Sequence, residues 1–150
     1  YLQRSTSNCV LFIENDQTDV LTSELANNLC KTGIVCAYID YEAACSGELE
    51  LFNAIAQTLK LTHAPYKAGG VWVGVKFLDD LITLSEKCPG VAIVVDNAET
   101  LLLEDRHTMF RLIEAFLVQF HHWFEKKKPC YLCLQMRMDP LVRQFFGQMV

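Results

Sequence analysis

Residues 91–95, Val-Ala-Ile-Val-Val, restrict the possible folds of this chain more than any other segment. The run has no polar alternation, and such continuous apolar strands occur where both faces of a sheet are covered. Three further short apolar runs cover residues 9–13, 34–39 and 130–134. None approaches the roughly 18–20 apolar residues that a membrane span needs. The four runs therefore predict four buried strands.

Helical patterns separate these runs. Apolar residues recur three and four positions apart in segments 20–30, 46–59, 75–87 and 106–126, and Pro140 begins a short final helix over 141–146. The buried face predicted for segment 106–126 consists of Phe110, Ile113, Leu117, Phe120 and Phe124. Alternating strands and helices are typical of a parallel sheet with helices on both faces. We therefore expect an α/β fold, a three-layer sandwich with a mainly parallel sheet of four to five strands.

The composition fits one folded domain. A chain of 150 residues is too short for two ordinary domains, and its 51% hydrophobic and 21% charged residues exclude a disordered chain. We expect residues 1–150 to form a single domain, and because the chain begins at Tyr1 we expect it to be a fragment of a longer protein. The net charge of −5 argues against a protein that coats nucleic acid, which needs Lys and Arg.

The seven cysteines are odd in number and lie scattered through apolar runs. This distribution favours reduced thiols in the core and a cytoplasmic, reducing compartment. Cys130 and Cys133 have the spacing of a CxxC metal motif, but strand residues three apart point to opposite faces of a sheet. His121 and His122 are adjacent on a predicted helix, which is poor geometry for one metal ion. We therefore predict no metal site.

Candidate ligand-binding residues follow the strands, because doubly wound folds bind ligands at the carboxyl ends of their strands. The segments at these positions are 14–22, 96–99 and 135–137.

Two of these segments carry a resemblance to a known family. Val91-Ala-Ile-Val-Val-Asp-Asn-Ala-Glu99 resembles the hydrophobic strand that ends in Asp-Glu-Ala in the P-loop NTPase core, and segment 134–141 resembles the later strand and helix start. The layout is similar to the RecA/AAA-like branch, and in particular to general-secretion-pathway-A-type AAA ATPases. The resemblance implies a P-loop NTPase-like fold over residues 1–150 and a nucleotide site at the strand ends.

The sequence departs from that family where phosphate would bind. When the family's Gly-x-x-x-x-Gly-Lys-(Ser/Thr) loop is laid over residues 15–22, only Thr22 is retained, and Leu21 stands in place of the Lys. Carboxylates at positions 14, 16 and 19 would repel a triphosphate by several kcal/mol in a partly desolvated pocket. Asn97 replaces the acidic residue that follows Asp96 in the family. We interpret Thr22, Asp96 and Asn97 as vestiges of a nucleotide site, and we expect no catalytic residue and no cofactor.

These departures predict a pseudo-ATPase domain, not an enzyme, that acts as a protein–protein interaction or scaffold module in a larger assembly. We expect partners to be other proteins or domains of the same protein, with no nucleic acid, membrane association only through flanking segments, and oligomers possible. The interaction candidates are Tyr66, Trp72, Phe145, Phe146, Lys126, Lys127 and Lys128. Trp72 could instead cover the core, and the three lysines could instead be a solvated helix end.

Two alternatives stay open at the level of sequence. One is a nucleotide-binding AAA-type ATPase with a non-standard phosphate loop. The other is a barstar-like nuclease inhibitor, whose strand–helix–helix–strand order resembles segments 38–40, 49–59, 75–84 and 91–95, and which would present an acidic face to a basic nuclease.

Overall fold

A parallel β-sheet organises the chain. The computed structural model describes residues 9–14, 31, 33–44, 47–68, 72–137 and 139–149. Its strands are β1 (Cys9–Glu14), β2 (Val35–Asp40), β3 (Val91–Asp96) and β4 (Cys130–Met136). They lie in the order β1-β4-β3-β2, and every neighbouring pair is parallel. The prediction of an α/β fold with a parallel sheet is confirmed.

The register brings the strand ends to one edge. Asp40 is the partner of Asp96 across β2 and β3, and Glu14 is the partner of Met136 across β1 and β4. Because parallel strands run in the same direction, the residues that follow them meet at the carboxyl edge of the sheet.

Six helices connect or follow the described strands. They are α1 (Tyr41–Ala44), α2 (Glu48–Thr58), α3 (Val73–Lys87), α4 (Ala98–Glu104), α5 (Arg106–Glu125) and α6 (Pro140–Met149). The periodicity predicted α2, α3, α5 and α6 but not α1 and α4, which are short and begin within two residues of a strand end. The helix predicted over 20–30 lies outside the described residues.

The main core fills one face of the sheet. The side chains of Ile93, Val95, Leu132 and Leu134 point to this face and pack in one cluster with residues of α2 to α6. Within it, a chain of aromatic rings links three helices: Phe52 of α2, Phe77 of α3, and Phe116 and Phe120 of α5, with ring centroids 4.9, 6.2 and 6.1 Å apart in that order. The rings tie α2, α3 and α5 to each other and to the sheet.

A smaller cluster lies on the opposite face of the sheet. It consists of Ile34, Ala92, Val94, Tyr131 and Cys133, all buried. The third layer of the predicted sandwich depends on segment 20–30, which is outside the described residues. Cys130 belongs to the main cluster and Cys133 to the smaller one, so the two thiols are buried on opposite faces, as the strand geometry predicted.

The predicted buried face of α5 is wrong in part. Phe110, Leu117 and Phe124 are 37%, 57% and 55% exposed. Phe120 is buried, as predicted, and Ile113 packs against the core. The residues that α5 buries fully or nearly so include Met109, Leu112, Ala115, Phe116 and Trp123.

The error has a simple physical origin. Phe110, Leu117 and Phe124 lie seven residues apart and form one stripe of the helix, while Leu112, Phe116 and Trp123 form an adjacent apolar stripe. A helix with two apolar stripes has two candidate core faces, and tertiary packing selects between them.

Among the described residues, no helix is long and apolar enough to cross a membrane.

Two phenylalanines of α5 test this assignment. Phe116→Ala removes a ring with no solvent exposure and should lower the free energy of unfolding by about 3–5 kcal/mol. Phe124→Ala, on the exposed stripe of the same helix, should change it by no more than about 0.5 kcal/mol. Urea denaturation of both variants measures the difference. A larger loss for Phe124→Ala than for Phe116→Ala would show that α5 packs through its other stripe.

Candidate functional site at the carboxyl edge of the sheet

A row of polar side chains crosses three adjacent strands at the carboxyl edge. Asp96 ends β3, and its register partner Asp40 ends β2. Gln135 of β4 follows Leu134, the partner of Val95, so it lies beside Asp96 in the next register position. Since strand side chains alternate between faces, the three residues of the row lie on the face of the smaller apolar cluster.

Asp96 is 1% exposed, and both of its carboxylate oxygens are engaged. The hydroxyl of Tyr38 donates to Oδ2, and the backbone N–H of Asn97 donates to Oδ1 at 2.8 Å. Burying a carboxylate is costly unless hydrogen bonds replace the lost water. These two donors supply that replacement from within the chain.

Asn97 turns the chain from β3 into α4. Its backbone is left-handed, with φ 54° and ψ 37°, a conformation that asparagine tolerates better than most residues. Its side-chain amide donates from Nδ2 to Oδ1 of Asp40 at 2.7 Å. The backbone N–H of Ala43 also donates to this oxygen, at 3.4 Å. Tyr38, Asp96, Asn97 and Asp40 thus form one connected network, which we call the strand-end network.

Two outer carboxylates bond to neighbouring segments of the same edge. Glu99 accepts a hydrogen bond from the backbone N–H of Arg137 at 3.1 Å, which joins the start of α4 to the end of β4. Glu42 accepts from the hydroxyl of Thr100 at 3.0 Å, which joins α1 to α4. The segments that follow β2, β3 and β4 are therefore held together by side chains.

Gln135 is the exception in this row. It is 1% exposed, and neither atom of its side-chain amide has a hydrogen-bond partner within the described part of the chain. A buried unpaired amide costs on the order of 1–3 kcal/mol. Sequence reasoning marked segment 135–137 as a strand end but did not single out Gln135. The available signal was a polar residue at the end of an apolar run, beside Asp96 in register.

The structure unites some of the predicted nucleotide-site residues and leaves others undescribed. Asp96 and Asn97 meet in the strand-end network, together with Asp40, which was not predicted to be a site residue. Thr22 lies outside the described residues. Glu14 ends β1 at the same edge of the sheet.

The aromatic interaction candidates lie elsewhere. Tyr66 is 4% exposed and donates its hydroxyl to Asp80 at 2.7 Å. Trp72 packs edge-on against Phe52, with ring centroids 6.0 Å apart, and its indole N–H donates to Glu48. Trp72 therefore covers one side of the main core. Phe145 and Phe146 fall within α6, but the described structure does not extend to their side chains.

The three lysines lie between α5 and β4, near the amino edge of the sheet and away from the strand-end network. Lys126 and Lys127 are exposed. Lys128 donates to the backbone carbonyl of Ser85 at the end of α3. Their predicted role in partner binding stays a prediction.

This chain is similar to known proteins in its fold, whereas comparisons of its sequence give no match. No family model and no curated protein matches the sequence. Solved structures with a similar fold support an AAA+, P-loop NTPase-like architecture, the class that the resemblance implied. The general-secretion-pathway-A-type assignment within that class stays a prediction.

The neighbours include the ORC2 protein of Aeropyrum pernix in its ADPNP–ADP complexes, with a TM-score of 0.61 and 12% identity over 97% of this chain and 38% of that one. The ADP form of that protein has a TM-score of 0.60 and 13% identity over 96% and 39% of the two chains. Drosophila ORC bound to DNA has a TM-score of 0.63 and 16% identity over 92% and 33%. The chain thus spans less than two fifths of the length of these neighbours.

Two substitutions at Asn97 separate its two contributions to stability, the hydrogen bond to Asp40 and the left-handed backbone conformation. Asn97→Gly and Asn97→Ala both remove the hydrogen bond to Asp40, but only alanine is disfavoured in the left-handed conformation. The alanine variant should therefore be less stable than the glycine variant by about 1 kcal/mol. Thermal or urea denaturation of the pair provides the measurement. Equal stability would mean that the turn does not require a positive φ.

Proposed function

We propose that this chain is a P-loop NTPase-like domain that does not hydrolyse nucleotide and serves as a protein-binding module within a larger assembly. The observation that carries the proposal is the strand-end network. The side chains that would meet a metal ion and a water molecule in an active relative, those of Asp96 and Asn97, are each hydrogen-bonded to other groups of the chain.

Hydrolysis in this class of fold needs a bound metal ion and a residue that orients or activates water. Asp96 is the carboxylate placed to hold such an ion, yet both of its oxygens already accept hydrogen bonds. The next residue is Asn97, whose amide cannot take a proton from water and is held on Asp40. Position 97 therefore supplies no base.

The sequence of segment 14–22, which corresponds to the phosphate loop of the family, also supports a loss of nucleotide hydrolysis. In the family, the glycines of this loop let backbone N–H groups approach phosphate, and its Lys meets the β- and γ-phosphates. Segment 14–22 of this chain contains no Gly and no Lys, and three of its residues are acidic. A triphosphate would meet negative charge where active relatives supply donors.

A role in protein binding is supported by the surface of α5. Phe110, Leu117 and Phe124 are partly exposed on one stripe of this helix, and Val118 is 64% exposed. Large exposed apolar patches mark interaction sites. The chain covers 33% of the matched chain of Drosophila ORC, and a role beside other domains is part of the proposal. A reducing, cytoplasmic location is part of the proposal and rests on the buried thiols.

DNA is the competing macromolecular partner, because the Drosophila neighbour was solved bound to DNA. The net charge of −5 favours protein partners instead. The barstar-like alternative stays a prediction that neither the fold nor the comparisons test.

Isothermal titration with Mg²⁺ and ATP tests the loss of nucleotide chemistry. We expect no saturable heat that depends on Asp96 and no ATP turnover above the rate of Asp96→Ala. Glu86→Ala, which removes an exposed carboxylate outside the strand-end network, serves as the matched control. Binding or turnover that disappears in Asp96→Ala but persists in Glu86→Ala would overturn the proposal.

Charge placed on the apolar stripe tests the binding role. In the full-length protein, Leu117→Asp should reduce co-purification of partner proteins because it puts a carboxylate into the contact. Gln144→Asp, at an exposed position of α6, should leave it unchanged. Unaltered co-purification with Leu117→Asp, or salt-dependent binding of duplex DNA by the wild-type chain, would contradict the proposal.

One observation favours nucleotide binding without hydrolysis as a second candidate function. The buried, unpaired amide of Gln135 lies beside Asp96, and a bound ligand could supply its missing partner. The Aeropyrum neighbours were solved with ADPNP and ADP.

Gln135→Leu distinguishes the two candidates. If no ligand binds, the substitution removes an unpaired polar group and should raise the free energy of unfolding by about 1 kcal/mol. Gln119→Leu is the control. Gln119 is equally buried and its Oε1 also has no partner in the described structure, but its Nε2 donates to the carbonyl of Leu78 at 3.2 Å, so the substitution gives up a hydrogen bond and should not stabilise the protein. ADP binding by the wild type that Gln135→Leu abolishes would establish the second function.

A further inference from the structure

We propose that a pocket between α3 and the loop after α2 binds a small ligand through a dianionic phosphate group. The cavity has a volume of about 360 Å³ and is lined by His63, Pro65, Tyr66, Lys67, Lys76 and Asp79. This volume falls within the range of small-molecule sites, which starts at roughly 300 Å³. The pocket is separate from the strand-end network and does not depend on the function proposed for it.

The loop that forms one wall is held in place by a side chain of α2. Asn53 accepts a hydrogen bond from the backbone N–H of Tyr66 at 2.6 Å and donates one to its carbonyl at 3.0 Å. The two bonds hold the backbone of Tyr66 through both its N–H and its carbonyl. A wall fixed in this way loses little conformational entropy when a ligand binds.

A buried carboxylate fixes the polar end of the pocket. The side chain of Asp80 is 1% exposed and accepts three hydrogen bonds: from the backbone N–H of His63 at 3.1 Å, from its ring Nδ1 at 2.6 Å and from the hydroxyl of Tyr66 at 2.7 Å. Burial and the adjacent Asp80 raise the pKa of the Tyr66 hydroxyl, so this group remains a donor. Asp80 is therefore occupied and does not face the pocket as an open acceptor.

This arrangement leaves the other ring nitrogen of His63 available for a ligand. Because Nδ1 bonds to Asp80, Nε2 lies on the outer side of an imidazole that is 68% exposed. The buried carboxylate keeps the ring in one orientation, so Nε2 is the ring nitrogen that a ligand can reach. The histidine is thus a positioned polar group in the lining of the pocket.

The charges on the walls select the ligand class. Lys67 and Lys76 supply two ammonium groups, and the lining contains one carboxylate, that of Asp79. Two cations favour a dianion over a singly charged carboxylate, and lysine is a common phosphate-binding residue. Pro65 and the ring of Tyr66 add an apolar wall, which suits an organic phosphate with an apolar or planar part.

Titration with phenyl phosphate, followed by chemical shifts of the folded protein, tests the assignment. We expect saturable binding, weaker binding of inorganic phosphate, which lacks the ring, and weaker binding of benzoate, which carries one charge. Lys67→Gln and Lys76→Gln should each weaken phenyl phosphate binding by about three- to tenfold. Lys31→Gln makes the same charge change at an exposed position outside the pocket and should have no effect.

Each of three results would overturn the proposal: no saturable binding of phenyl phosphate, equal binding of benzoate, or equal losses in the Lys31→Gln and Lys76→Gln variants. The substituted lysines are exposed, so the variants should keep the wild-type spectrum away from the pocket.

Discussion

The burial of β3 on both of its faces is the constraint on which the rest of the structure depends. All six residues of this strand are buried, and its neighbours β2 and β4 pair with it along their length. A strand in this position tolerates apolar side chains until its last residue, where the sheet ends. The polar residue of β3 is therefore its last, Asp96, which lies at the carboxyl edge with Asp40 and Gln135.

Placing a carboxylate at the end of such a strand creates an energetic problem that the neighbouring residues resolve. Asp96 has almost no contact with solvent, so it needs donors from the protein or from a ligand. Tyr38 and the backbone of Asn97 supply them. The solution is local and complete for Asp96, whereas Gln135 beside it has no partner in the described structure. A ligand would therefore supply missing hydrogen bonds to Gln135 but not to Asp96, although the two residues are neighbours in one row.

Much of the fold could be predicted from the sequence because continuous apolar runs have few alternatives. The four runs became β1 to β4, and Asp96 and Asn97 were predicted at the strand end where they lie. The buried face of α5 could not be predicted, since Phe110 and Phe116 belong to equally apolar stripes. Nor could helix α4, whose first residues follow Asn97 without the polar loop that commonly precedes a helix.

Long-range contacts explain what sequence reasoning missed in the sites. Asp80 looks like one of two adjacent acidic residues on a surface helix, but it is buried because His63 and Tyr66 fold over it. Asp40 joins Asp96 only through the register of β2 against β3. The neighbours have a similar fold at 12–16% identity, and a similar fold does not determine the side chains of a site.

The bond between Asn97 and Asp40 also limits how this sequence can evolve. An acidic residue at position 97 would place a second carboxylate against Asp40, at the 2.7 Å contact that the amide now makes. Two like charges at that distance repel, and one of them would have to take up a proton or move away. An acidic residue at position 97 would therefore be accommodated only with an accompanying change at Asp40, because the hydrogen bond couples the two positions.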